Sequence, residues 1–161
     1  MENSKLVFED ANSLPGYYIR HLQQISVAIF LRETEEFGIT PVQFAALRFV
    51  AANPDIDQRT LAGAAGLDAS TTTGVIDRLE ARKLLERQAS ATDRRVKHVR
   101  VTPAGGKLLE RILPAVSHAQ RLMLEPLPEN ERKEFVRMLS VLVEGNNELS
   151  RAPKNERHAS R

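Results

Sequence analysis

The stretch from Leu61 to Gly105 constrains the fold most, because its apolar spacing changes from a helical period to the alternation of a strand. Asp57, a residue type that commonly caps helices, stands just before it. Leu61, Ala62 and Ala65 then follow at helical spacing. Gly66 comes next, and a glycine just past a helix end permits the left-handed conformation that turns the chain sharply. The pattern predicts a short helix and a sharp turn, the first half of a helix-turn-helix.

A second helix is predicted directly after this turn, with Asp68 as its N-cap. One of its faces should pack on the rest of the domain, and it carries Thr72, Val75, Ile76 and Leu79. The opposite face is polar, and it carries Ser70, Thr71, Thr73, Gly74, Asp77 and Arg78. Hydroxyl and guanidinium groups suit phosphate oxygens and base edges, so the polar face is typical of a helix that binds DNA.

Two short strands follow and predict a β-hairpin, at Leu85–Gln88 and Lys97–Val101. The second strand alternates, with Val99 and Val101 inward and His98 and Arg100 outward. The order helix, turn, helix and hairpin describes a winged helix-turn-helix, a mainly α-helical fold with a small β-hairpin wing.

The hairpin tip, between residues 89 and 96, concentrates charge in Asp93, Arg94 and Arg95. An arginine at a loop tip is suited to a narrow minor groove, where the negative potential is strong. We expect Arg94 to face DNA. Arg95 is a second candidate for contact with DNA, unless it braces the hairpin, as Asp93 also could. Alternatively, Asp93 pairs with an arginine only to stiffen an exposed turn.

These residues resemble the MarR family of bacterial transcription regulators. The resemblance rests on the run from Ser70 to Arg87, on Asp93-Arg94-Arg95, and on the run from Val99 to Gly105, and it extends from about Leu14 to Leu149. Two positions depart from the family pattern: Gly74, where a long polar residue is common, and Lys83, where glycine is frequent. Gly74 is compatible with a close approach of the backbone to DNA, or with a tolerated exposed glycine.

The resemblance implies a homodimer joined through its terminal helices, and a pseudo-palindromic double-stranded DNA operator. It also implies repression of transcription that a small molecule relieves. The segments Leu14–His21 and Pro41–Leu47 look most like those of regulators of aromatic acid catabolism, in benzoate or nicotinate pathways. The effector expected on this basis is a small aromatic acid such as a hydroxylated benzoate or nicotinate.

Such a ligand requires a cation or hydrogen-bond donors for its carboxylate and flat apolar walls for its ring. The predicted effector site combines residues of the first two helices: Tyr17, Tyr18, Arg20, His21, Phe44 and Arg48. Ordinary core packing is the alternative for the aromatic residues, and a structural role is the alternative for His21.

The flanking helices supply the remaining apolar surface. A helix is expected over residues 14–37, and Thr40-Pro41 and Thr102-Pro103 each begin another with a cap and a first-turn proline. Pro114 predicts a kink or break within the second of these, and a last helix begins near Pro128. We therefore divide the chain into a flexible tail (1–12), a helical dimerisation region (13–39 and 103–150), a winged helix-turn-helix domain (40–102) and a disordered basic tail (151–161).

Charge and composition agree with a regulator of this kind. The net charge is only +2, yet residues 74–100 hold eight Lys or Arg against four Asp or Glu. The absence of cysteine excludes a thiol-based redox switch, and four scattered histidines predict no metal site. No cofactor is expected, and the lack of a long apolar run or a signal-peptide pattern favours the cytoplasm over a membrane. Two alternatives stay open: a winged module that binds protein rather than DNA, and a DNA-binding regulator without a small-molecule effector. No motif of an enzyme is found.

Overall fold

The computed structural model describes residues 14–65, 69–89 and 97–149, without the side chains of 59, 63–65 and 69. Its helices are α1 (Pro15–Glu33), α2 (Pro41–Ala52), α3 (Gln58–Ala65), α4 (Ala69–Ala81), α5 (Pro103–Leu124) and α6 (Glu129–Gly145). Its strands are β1 (Ile56–Asp57), β2 (Leu85–Ala89) and β3 (Lys97–Val101), and short 3₁₀ turns cover Glu35–Phe37 and Asn147–Leu149. The order confirms the predicted winged helix-turn-helix with flanking helices. None of the described helices is both long enough and apolar enough to cross a membrane.

The predicted Thr-Pro helix starts are confirmed. The Thr40 hydroxyl accepts a hydrogen bond from the Gln43 backbone N–H at 3.2 Å, and the Gln43 side chain accepts from the Thr40 N–H at 3.1 Å. This capping box satisfies two backbone donors at the start of α2. At α5, the Thr102 hydroxyl accepts from the Gly105 N–H at 3.1 Å.

Two helix predictions need correction. The first helix ends at Glu33 rather than at residue 37, because the Thr34 hydroxyl bonds to the Phe30 carbonyl at 2.7 Å and the chain then tightens into a 3₁₀ turn. Gly38 closes that turn in the left-handed region, at φ 56°. Of the kink or break predicted at Pro114, the break is wrong, because α5 continues to Leu124. Pro114 is exposed, and so is Glu110, the residue whose carbonyl has no N–H donor because of the proline.

The sheet has three antiparallel strands in the order β1-β3-β2. In the hairpin, Arg87 lies opposite Val99 and Glu86 lies opposite Arg100, so the first pair belongs to the inner face and the second to the outer face. The predicted alternation of β3 is confirmed, because Val99 is fully buried while Arg100 is exposed. Strand β1 was not predicted, and it adds Ile56 beside Val99.

One continuous core connects the flanking helices with the winged region. Phe30 of α1 and Ile112 of α5 belong to the same cluster as Leu47 of α2 and Ile76 of α4. The rings of Phe30 and Phe44 lie 5.8 Å apart. This core fixes α4 in place, since its inner face is part of it.

The turn between α4 and the hairpin has a precise backbone geometry. The Leu84 N–H donates to the Leu79 carbonyl at 2.9 Å, and the Lys83 N–H donates to the Glu80 carbonyl at 2.8 Å. These two bonds define a Schellman motif, in which Lys83 takes the left-handed conformation at φ 59°. The motif directs the chain from α4 into β2.

Candidate nucleic-acid interface

Helix α4 has two sharply different faces. The inner face is buried as predicted, through Thr72, Val75, Ile76 and Leu79. On the outer face Gly74 is half-buried and the other predicted residues are exposed, namely Ser70, Thr71, Thr73, Asp77 and Arg78. The core therefore holds the helix by one side and leaves a row of hydroxyl and charged groups in solvent.

Arg78 is the cation of this outer face. Within the part of the chain that the structure describes, its guanidinium forms no ion pair. Its five N–H donors are suited to phosphate oxygens or to the acceptors of guanine.

Gln58, at the start of α3, was missed by the sequence analysis. Its side-chain amide donates to the Thr73 hydroxyl at 2.7 Å and so connects the two helices of the helix-turn-helix on their exposed side. The only signal in the sequence is its position directly after Asp57. The predicted cap at Asp57 is confirmed, since its carboxylate accepts from the Thr60 N–H at 2.9 Å.

Arg87 of β2 binds the outer face of α4. It donates to Asp77 at 2.5 Å and also to Glu80, while its backbone N–H donates to Glu80 at 3.2 Å. Burial opposes the charged form of Arg87, but hydrogen bonds and charge from the two carboxylates raise its pKa above the ordinary value. The hairpin and the helix are thus joined by charge as well as by packing.

A second charged contact connects the hairpin with the turn after α2. Arg100 donates to the Asp55 carboxylate, and the ring of His98 lies 2.6 Å from the Asp55 carbonyl oxygen. The hydrogen bond from Arg100 lowers the pKa of Asp55. Asp55 has a left-handed backbone, at φ 63°.

The predicted wing tip, with Asp93, Arg94 and Arg95, lies outside the described residues, as do the turn residues Gly66 and Asp68. The described parts of the hairpin end at Ala89 and Lys97, which face each other in register. The two terminal tails also lie outside the described residues.

The predicted effector residues divide into three positions. Tyr17 is at the centre of a cluster on the first turns of α1: the Tyr18 ring lies 5.6 Å away, the His21 ring 4.3 Å away, and the Arg20 guanidinium 5.9 Å from its centroid. Phe44 is buried against Phe30 in the core. Arg48 is exposed on α2.

A helix-turn-helix with a buried scaffold, a polar outer helix face and an adjoining hairpin defines the winged-helix class of DNA-binding proteins. The comparisons with known proteins make the assignment specific. A family model described as the MarR family matches residues 37–96. A putative transcriptional regulatory protein for the hcr operon of Thauera aromatica is 32% identical over 83% of this chain and 81% of that protein. The two matches together show that the chain belongs to the MarR family of transcriptional regulators.

Three solved structures illustrate the similarity. The PcaV transcriptional regulator from Streptomyces coelicolor, solved with its natural ligand, is 30% identical, with a TM-score of 0.77 over 83% of this chain and 94% of that chain. Bordetella bronchiseptica BpsR, described as regulated in its DNA binding by 6-hydroxynicotinic acid, is 29% identical, with a TM-score of 0.78 over 83% and 95%. The transcriptional repressor CouR, bound to a 23-mer DNA duplex, is 28% identical, with a TM-score of 0.79 over 87% and 99%.

Family membership decides whether the chain is a transcriptional regulator or an enzyme. Members of the family and the named relatives are transcriptional regulators, so this chain is a regulator and not an enzyme. The resemblance inferred from the recognition-helix and wing motifs is thereby confirmed.

Proposed function

We propose that this regulator is a homodimeric repressor that binds a pseudo-palindromic operator and is released by a small aromatic acid. The observation that carries the DNA-binding part is the two-faced helix α4, whose inner face is held in the core while Ser70, Thr71, Thr73, Gly74 and Arg78 face outward. In this proposal α4 enters the major groove, and Arg94 and Arg95 of the wing contact the flanking minor groove.

The dimeric part rests on α6. Among its 17 residues, all described, none is buried. Large apolar side chains remain exposed along it, at Val136, Met138, Val141, Leu142 and Val143. A second copy that covers this surface would give a two-fold arrangement, with recognition helices about 34 Å apart on one face of the duplex.

The effector part rests on the cluster around Tyr17. A tyrosine ring, a histidine and the Arg20 guanidinium within 6 Å offer a flat wall and a cation, which suit an aromatic ring with a carboxylate. BpsR, whose DNA binding is described as regulated by 6-hydroxynicotinic acid, supports the choice of this ligand class. A ligand that binds this cluster more tightly in the DNA-free protein than in the DNA-bound protein would cause the protein to release the operator.

The DNA-binding part is tested by fluorescence anisotropy with duplexes from the region upstream of the protein's own coding sequence. We expect Arg78→Ala to weaken operator binding roughly tenfold, and to reduce the slope of log affinity against log salt by about 1. Arg94→Ala should also weaken binding without unfolding the protein.

Arg32→Ala is the matched control for Arg78→Ala. Arg32 is an exposed arginine near the end of α1 that bonds only to Glu33 among the described residues. The loop after α1 contacts the opposite end of α4 from Ser70, because Arg82, just past the last residue of α4, donates to the Phe37 and Gly38 carbonyls. Equal losses in both variants, or weak binding without salt dependence, would favour a protein-interaction module instead.

The effector part is tested by adding hydroxylated benzoates and pyridine carboxylates to the operator complex. One compound of the panel should release the DNA from the wild type. Arg20→Ala and His21→Ala should blunt the release while operator affinity stays unchanged, and Arg32→Ala should respond as the wild type does. Specific DNA binding that is indifferent to the whole panel would contradict the aromatic-acid effector and leave the DNA-binding proposal intact.

A further inference from the structure

A carboxylate occupies the middle of the surface that is proposed to face DNA. Ser70, Gly74 and Asp77 are spaced by four and three residues, so they lie in one row along the outer face of α4. The Asp77 side chain is 57% exposed. A phosphate backbone repels a carboxylate at this place, so binding through this face requires that the charge of Asp77 be compensated.

Arg87 supplies the compensating charge from an unusual position. It stands opposite Val99, at an inner-face register of the hairpin where an apolar residue is the norm, and only 16% of its side chain is exposed. A partly buried guanidinium requires charged or hydrogen-bonding partners, and the partners are Asp77 at 2.5 Å and Glu80. Both carboxylates belong to α4, so the ion pairs of Arg87 connect the hairpin with the recognition helix.

A direct contact between Arg87 and a phosphate does not explain this arrangement. Its guanidinium is engaged by two carboxylates, and its backbone N–H is engaged by Glu80. Arg100 of β3 does not take part in this network. It lies on the outer face of the hairpin and pairs with Asp55 instead.

From this network we infer that Arg87 is a positioning residue for DNA binding, which neutralises Asp77 on the recognition helix and fixes α4 relative to the hairpin. The inference rests on the proposed DNA-binding function. It adds a specific role for a residue that need not touch DNA: without Arg87, α4 presents uncompensated negative charge to the phosphates.

The test is a double-mutant cycle on operator affinity, measured by anisotropy on the full chain at two salt concentrations. Arg87→Gln should weaken binding about tenfold, and the loss should shrink at higher salt because the repulsion is screened. Asp77→Asn alone should change the affinity by less than about threefold, but in the Arg87→Gln background it should restore most of the lost affinity. Arg100→Gln is the matched control, since it removes the same charge from the hairpin and Asp77→Asn should not rescue it.

The thermal unfolding midpoints of all variants distinguish two roles of Arg87: neutralising the charge of Asp77, and stabilising the fold. Asp77→Asn cannot rebuild the ion pair, so recovery of affinity without recovery of the thermal midpoint supports the inference. The inference would be overturned if Asp77→Asn did not restore the operator affinity that Arg87→Gln loses. It would also be overturned if Arg87→Gln bound the operator as tightly as the wild type. If Arg87→Gln does not fold, Arg87→Lys replaces it, with a smaller loss and the same rescue expected. Failure of the wild type to bind any upstream duplex would overturn the proposed function and this inference together.

Discussion

Two neighbouring glycines at the start of α5 have opposite surroundings. A β-carbon on Gly105 would lie 2.2 Å from the Leu84 carbonyl oxygen and 2.9 Å from a methyl group of Val101, whereas one on Gly106 would meet no atom of the described residues within 4 Å. The Leu84 carbonyl cannot move away cheaply, because it also accepts the Thr102 N–H at 3.1 Å. Only the first glycine is therefore required by packing.

We predict that Gly105→Ala lowers the free energy of unfolding by about 2–3 kcal/mol, because the clash is with backbone. Gly106→Ala, the matched control in the same helical turn, should raise it by about 1 kcal/mol through helix propensity. Urea unfolding followed by circular dichroism measures both. Equal effects of the two substitutions would contradict the close approach of α5 to the turn after α4.

Lys83 shows how a departure from the family pattern becomes interpretable. Glycine is frequent in the family at this position, and the left-handed φ of 59° in the Schellman motif gives the physical reason. A lysine there carries a steric cost that glycine avoids.

We predict that Lys83→Gly raises the free energy of unfolding by about 0.5–1 kcal/mol, the relief of left-handed strain less the entropy that glycine adds to the unfolded chain. Lys83→Ala keeps the β-carbon and should bring no comparable gain. Thermal unfolding of the two variants side by side measures the difference. A gain in Lys83→Ala as large as that in Lys83→Gly would show that the side chain, and not the backbone conformation, is responsible.

Elements that carry their own end signals were predicted well, and elements that depend on distant partners were not. The starts of α2 and α5 follow from Thr40-Pro41 and Thr102-Pro103, because a cap and a first-turn proline act locally. Strand β1 has two residues, and it is a strand only because Ile56 pairs with Val99 of β3. No periodicity can reveal a strand of that length.

The same distinction applies to the candidate site. The inner and outer faces of α4 followed from helical spacing, so Thr72 and Arg78 were assigned to the correct sides. The bond from Gln58 to Thr73 and the pairing of Arg87 with Asp77 were not predicted, because each joins residues of different elements. Side-chain partners across a turn require the packing geometry.

Gly74 gives a prediction at the level of the whole recognition helix. A β-carbon at this position meets nothing within 4 Å among the described residues, so this part of the protein leaves room for a side chain there. We predict that Gly74→Ala raises the free energy of unfolding by about 1 kcal/mol and yet weakens operator binding, because in the proposed complex the backbone of α4 approaches the duplex at this residue. Thermal unfolding and anisotropy on the same sample separate the two effects, and a stabilised variant with full affinity would show an ordinary exposed glycine.

For the whole molecule, the proposed dimer depends on the apolar side of α6. Leu142 is 54% exposed on that side, although leucine is a residue that folded chains usually bury. Ser140 lies on the other side of the same helix, where its hydroxyl donates to Glu144 at 2.7 Å. A lysine at position 142 therefore adds a positive charge to the apolar side of α6, and a lysine at position 140 adds the same charge to the opposite side.

We predict that Leu142→Lys converts the proposed dimer into a monomer and abolishes high-affinity operator binding. An unpaired lysine would have to be buried at the proposed interface, and the proposed dimer needs both half-sites for its affinity. Ser140→Lys introduces the same charge and should remain a dimer with wild-type affinity. Sedimentation velocity gives the oligomeric state, and anisotropy on a full operator and on an isolated half-site gives the affinity. If Leu142→Lys still sediments as a dimer, α6 is not the interface. If it is a monomer that binds the full operator as tightly as the wild type does, the two recognition helices do not act together.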